Sequence, residues 1–335
     1  MFKDIKQCWY ISLNSFTNIL SDPVFLILQI SILFALALIS SMPSFSFGES
    51  LRIIRDQNLA LLFIGACLCG LIAVSLVVIR DLKQGAVAVL MSRPVSASWV
   101  IWGKYLGVAL TIIVYTITAG IGVVWMTGLD AGLDSMNTRL DVISLILYFS
   151  SIAVSLLIVA LKQYFFGGSF VWPSCVGLMI GMAIGFAIAA LIKGEPGPYS
   201  TGFDWRTSLG VLLVIPGALI FVSILFPLAV KFDQSAVIGI GFIVFVTGLI
   251  SKFIVDQLLP GLQGTWIYTT LGAAIPNWQV LWISDRLANP NPIDMGEFLP
   301  YIGHLYIHSF LYATIFLVIA SILFNRREFS GNDTF

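Results

Sequence analysis

The stretch Leu59–Tyr105, "LALLFIGACLCGLIAVSLVVIRDLKQGAVAVLMSRPVSASWVIWGKY", decides how this chain is read. Its first part, Leu59–Ile79, carries no charged residue. As a helix it is long enough to cross about 30 Å of hydrocarbon. A charge at the centre of a spanning helix costs about 2.5–3.5 kcal/mol on insertion scales, so Arg80, Asp81 and Lys83 end the span at a membrane surface. Gly85–Met91, "GAVAVLM", then has the length of about two helical turns. Ser92-Arg93-Pro94 stops it, because the residue before proline disfavours helix. Trp99 and Trp102 mark the interface where the next span begins, and Lys104 is placed to snorkel toward lipid headgroups. The pattern predicts a short, mostly apolar helix with charged ends, held at one face of the membrane. Such a helix invites a partner groove. A plain interfacial loop suits the same residues about equally well.

Composition supports the membrane reading. Of 335 residues, 59% are hydrophobic and only 10% charged, with a mean hydropathy of +0.99. A soluble domain carries about 25% charged residues. The excess calls for a lipid solvent rather than a larger core. Net charge is zero, which gives no basis for a nucleic-acid partner. Cys67 and Cys69 lie two apart in an apolar run, so they point to different faces of a helix. They read as small buried hydrophobes, with neither disulfide nor metal spacing. No cleavable signal peptide is expected, since "MFKDIKQCWYISLNSF" lacks an uninterrupted apolar core followed by a small-residue cleavage site.

Runs of spanning length occur at Val24–Ser41, Leu59–Ile79, Trp99–Trp125 and Val142–Leu161, and again at Val171–Ile192, Ser208–Val230, Ala236–Val255 and Leu305–Phe324. The expected fold is therefore an all-α polytopic membrane protein, a bundle of about eight transmembrane helices. Six spans plus two re-entrant segments is the alternative, and the seventh run, with Lys252 near its end, is the weakest. In "SDPV", Ser21 or Asp22 can cap the first span and Pro23 suits its first turn. With the N-terminus inside, the inner segments hold Lys3, Lys6, Arg80, Lys83, Arg93, Lys104, Lys162, Lys231, Arg326 and Arg327. These outnumber Arg52, Arg55, Arg139, Lys193, Arg206, Lys252 and Arg286 outside. The positive-inside rule then places both termini in the cytoplasm.

Phe2, Ile5, Trp9, Leu13, Phe16 and Leu20 recur at helical spacing, with Lys3, Lys6, Gln7 and Asn14 on other faces. Residues 1–22 are thus expected to form an amphipathic helix in the inner interface. The transmembrane domain occupies 23–325, and 326–335 is a cytoplasmic tail. Gly177, Gly181 and Gly185 form a small-residue stripe, read as packing within one subunit. Pro216 and Pro227 are expected to kink the sixth span. Trp125, Trp205 and Trp266 are expected in aromatic belts.

No G-x-x-x-x-G-K-[ST], G-x-S-x-G or H-E-x-x-H motif occurs, so the chain is not expected to hydrolyse ATP itself or to be an enzyme. His304 and His308 stand at i, i+4, a spacing two metal ligands could use. Two interfacial, hydrogen-bonded imidazoles fit it better. Mid-span polar groups are mostly neutral, such as Gln29, Ser75 and Ser155, whereas ion-coupled carriers usually keep ionisable groups there.

The stretch from Arg80 to Gly107 resembles the region between the second and third spans of ABC-2 type transporter permeases. The matching residues are Asp81, Gly85, Leu90, Ser92, Arg93, Pro94, Gly103 and Lys104. In that family the segment is a coupling helix seated in a cleft of a separate ATP-binding subunit. The resemblance implies that Asp81, Lys83, Gln84, Gly85, Val87, Leu90, Ser92, Arg93 and Pro94, within 81–98, contact that subunit. Gly103 and Lys104 would position the third span. Ala86 and Ala97 depart from the family's frequent Thr and Arg, which removes one polar contact. "AIPNWQVLWISDRL" and "LYATIFLVIASILFNRREF" look like the family's C-terminal end. They imply an outer helical segment within 256–304, in which Pro276, Asn277 and Trp278 cap the path.

The implied function is the permease subunit of an ATP-driven exporter in the bacterial inner (cytoplasmic) membrane. Its implied partners are an ABC ATP-binding subunit, a second permease copy or paralogue, and membrane lipid. No cofactor is expected in this chain, with ATP and Mg on the partner subunit. The competing readings are an ATP-independent carrier, a membrane-embedded enzyme, and a non-transporting membrane anchor. The span interiors leave the substrate open among lipids, hydrophobic molecules and polymers.

Overall fold

The computed structural model describes residues 2–41, 50–83, 96–128, 141–193, 206–254, 275–283 and 295–328, and isolated positions between 257 and 272. The regular structure among the described residues is helical. The helices are α1 (Phe2–Leu20), α2 (Pro23–Ser41), α3 (Ser50–Val74), α4 (Ala97–Thr127), α5 (Val142–Phe166), α6 (Val171–Lys193), α7 (Thr207–Lys231), α8 (Gln234–Phe253) and α9 (Met295–Glu328). A π-helical turn, Ser75–Ile79, carries α3 on into Arg80–Lys83, and a 3₁₀ turn forms at Trp278–Leu281. Every helix but α1 is long and apolar enough to cross a membrane. The protein is an all-α polytopic membrane bundle, and all eight expected spans are present as long helices.

The spans alternate in direction. Asp22, before α2, meets Arg80 at the end of α3 at 3.8 Å. The far ends of α4 and α5 meet where Trp125 Nε1 donates to Ser144 Oγ at 2.8 Å. At that same far end the starts of α3 and α7 join, with Arg55 Nε donating to Thr207 Oγ1 at 3.2 Å. The first cap follows expectation. Asp22 Oδ1 accepts from the Val24 N–H at 3.0 Å, and Pro23 opens α2.

Helices α3, α4 and α7 form the centre of the bundle. About two thirds or more of their apolar windows is buried (67%, 67% and 72%), against 28%, 28% and 22% for α5, α6 and α8. The peripheral helices present Ile158, Ile184 and Phe242 outward, as helices bathed in hydrocarbon do. Gly177, Gly181 and Gly185 serve packing within the chain. They face Val159, Ser155 and Ser151 of α5, and a side chain at Gly181 would strike Ser155. The four cysteines are free and buried.

α7 runs through Pro216 and Pro227 as one helix. Pro216 has no N–H for the carbonyl four residues back, that of Leu212. α9 supplies the missing donor, since Tyr306 Oη donates to Leu212 O at 2.8 Å. Ser309 Oγ also donates to Pro216 O at 3.1 Å. In hydrocarbon an unpaired carbonyl is costly, so these bonds help seat α9 along α7.

Three expectations need correction. Trp125 lies in no aromatic belt. It is fully buried, edge-on to Tyr148 at 5.3 Å, because Ser144 satisfies its indole N–H inside the bundle. α3 begins at Ser50, well before Leu59, so Arg55 sits in the helix and is buried. Charge marks where a span is costly, yet the helix continues wherever buried partners receive its polar groups. α9 likewise starts at Met295 rather than Leu305, and it continues through Pro300.

Candidate functional site

Gly103 begins a Gly-x-x-x-Gly pair with Gly107 on α4. A Cβ at Gly103 would lie 2.9 Å from Cys8 O, and one at Gly107 would lie 2.7 Å from Ser12 O and Ser15 Cβ. The two bare positions form a groove into which the α1 backbone settles. α1 turns Cys8, Ser12, Ser15 and Ile19 inward, while Ile5, Trp9, Tyr10 and Leu13 face out. The seated face is therefore the small-residue face, because small side chains permit close approach. Burial pushes the Cys8 thiol above its ordinary value.

One residue after Gly103, Lys104 departs from the snorkelling expectation. It is 3% exposed and points into the bundle. Its Nζ donates to Asp81 Oδ2 and to the Val77 carbonyl, the latter within the π-helical turn. Such turns rearrange the carbonyl ladder and occur often at functional positions. A buried ammonium is tolerated only when paired and hydrogen-bonded, and here both conditions hold. Asp81 is itself partly buried, with 23% of its side chain exposed. Next to it, Arg80 reaches Asp22. Two ion pairs thus tie the end of α3 to the start of α4 and to the α1–α2 turn.

Asp81 and Lys104 are brought together, and Lys83 closes the helix that bears Asp81. Gln84, Gly85, Val87, Leu90, Ser92, Arg93 and Pro94 lie outside the described residues. The described chain resumes at Ser96, directly before α4.

At the opposite end stands the segment around Pro276, Asn277 and Trp278. Asn277 Oδ1 accepts from the Gln279 N–H at 2.9 Å and opens the 3₁₀ turn. Trp278 is 4% exposed. Its Nε1 donates to Phe245 O at 2.9 Å, its ring lies 5.4 Å from Phe63 and 6.4 Å from Phe221, and Gly248 leaves room for it. The segment is thereby pinned onto α3, α7 and α8. His304 Nδ1 lies 2.6 Å from Pro300 O, while His308 neighbours the Tyr312 ring.

Sequence reasoning missed two polar features of that end. Asn58 Nδ2 donates to Ser40 Oγ at 3.0 Å and to Thr127 Oγ1 at 3.4 Å, joining α2, α3 and α4. Arg55 joins α3 to α7. Helical spacing from Arg55 and Asn58 into Leu62 was the available signal. No protein-family model matches the chain, and no curated protein matches it. Fold and site alone define its class, a helical polytopic membrane protein with a buried ion pair at the root of its second and third spans.

Proposed function

We propose that this chain is the permease subunit of an ATP-driven exporter of the ABC-2 type. It forms the substrate path as a dimer with a second copy or a paralogue. A separate ATP-binding subunit, which holds ATP and Mg, works it through Lys83–Pro94. The observation that carries the reading is the Lys104 clasp on Asp81 and Val77. It ties the stretch before the Lys83–Pro94 segment to the helix after it, so that the segment is rooted in α3 and α4, two of the central helices. A push on such a segment is delivered to the centre of the bundle rather than absorbed at the surface. The Trp278 plug supports an outer gate at the other end. In this reading the Lys104 end faces the cytoplasm of a bacterial inner membrane, and α1 lays its apolar stripe in the interface.

The test is an affinity pull-down from native membranes with a tagged chain and its Gly85→Trp variant. Recovery of an ATPase by the unaltered chain alone is the expected result. If neither form recovers one, the reading loses its support. The carrier reading draws on Arg55, an ionisable group 2% exposed inside a span. It requires transport by the purified chain without any ATPase.

A further inference from the structure

Between α3, α7, α8 and the Trp278–Leu281 turn lies a pocket of about 260 Å³. Its floor consists of buried Leu59, Phe63, Val214 and Trp278. Its rim carries exposed Ile64 of α3, Leu249 of α8, and Trp282. Gly210 and Val214 stand about 5 and 10 Å along α7 from its first residue, at 1.5 Å per residue. Leu249 and Phe245 stand about 6 and 12 Å before the end of α8 by the same rise. The pocket therefore sits in the hydrocarbon just beneath one membrane face. Its exposed rim residues open sideways, toward lipid.

The chemistry of the lining selects the occupant. Apart from Gln279 and the indole of Trp282 at the rim, the lining side chains are apolar, and Gln279 Nε2 is already donated to Leu249 O at 3.2 Å. The Trp278 indole N–H is likewise spent on Phe245 O. Water needs two to four polar partners and finds none in the floor. A sugar, nucleotide or ion would lose its hydration for nothing. The volume is many times what a single water needs, so it has room for a run of methylenes. Trp282 suits the headgroup boundary, with its ring in hydrocarbon and its N–H toward water.

We propose that this pocket binds one acyl chain of a bilayer lipid, which enters sideways between Ile64 and Leu249. The bound chain packs against Trp278 and so bears on the segment that plugs this end of the bundle. The inference rests on the membrane-spanning fold and not on ATP-driven export, so it stands or falls independently of the pull-down.

The test uses the full chain in nanodiscs of phosphatidylcholine bearing a diazirine midway along one acyl chain. After irradiation, adducts are located by peptide mass spectrometry. Labelling of residues 59–64, 245–249 and 278–283 is expected to exceed that of the outward α5 face around Ile158 and Leu161 severalfold. Ala60→Phe, which fills the pocket, should bring it down to the α5 level while leaving α5 labelling unchanged. Val214→Phe fills the pocket from the opposite wall and serves if Ala60→Phe does not fold. Pocket labelling no denser than on α5, or undiminished by a folded filling variant, overturns the proposal.

Discussion

Lys104 carries a consequential interaction, because its charge sits 3% exposed among apolar helices. Removing one partner of such a pair leaves an uncompensated charge, which costs about 3–5 kcal/mol, whereas replacing both by apolar residues is often neutral. Asp81→Ala should therefore lower thermal stability in detergent sharply, toward the lower end of that range because Asp81 is partly exposed. The Asp81→Leu/Lys104→Met double variant should recover most of the loss. Strictly additive losses in this cycle would show that the two groups are uncoupled. The charge pattern marked the end of the second span correctly. Whether Lys104 turned outward to headgroups or inward to Asp81 depended on the π-helical turn of α3, and no local pattern in "IWGKY" encodes that.

Among the elements, α1 offers the clearest test, since its seat depends on two bare backbone positions of α4. Gly107→Val should lift α1 off α4, and Cys8 reports the event. The thiolate is the reactive form, and burial raises the Cys8 pKa, so native labelling by maleimide should be slow at neutral pH. It should climb only at a pH above that of a free thiol. In Gly107→Val the pH midpoint should fall toward the ordinary value of about 8.5, with faster labelling at neutral pH. An unchanged Cys8 profile would mean that α1 stays docked. The amphipathic period of α1 was legible from Ile5, Trp9 and Leu13. The docked face was not, because lipid and protein compete for apolar side chains, and close packing selected the small residues instead.

At the scale of the whole molecule, the eight alternating long apolar helices among the described residues predict that both termini lie on one side of the membrane. The excess of lysine and arginine at the Lys104 end leads us to propose that this side is the cytoplasm. A reporter that is active only in the cytosol should be active when fused before residue 2 or after residue 328, and silent when inserted within 129–140. Activity at only one terminus would contradict the eight-span count.

Sequence alone determined the spans, the order in which they cross and the class of the protein. Hydrocarbon thickness and the cost of charge act along a contiguous stretch, so each run of apolar residues states its own case. The tertiary structure decided what each polar or aromatic group touches. Trp125 went to the core because Ser144 was there to accept its N–H, and the Leu212 carbonyl found Tyr306 because Pro216 left it without a helical donor. The acyl-sized pocket exists because Trp278 returns from far along the chain to close it over Phe63 and Val214. Those outcomes depend on partners distant in sequence, and only the assembled bundle brings them within reach.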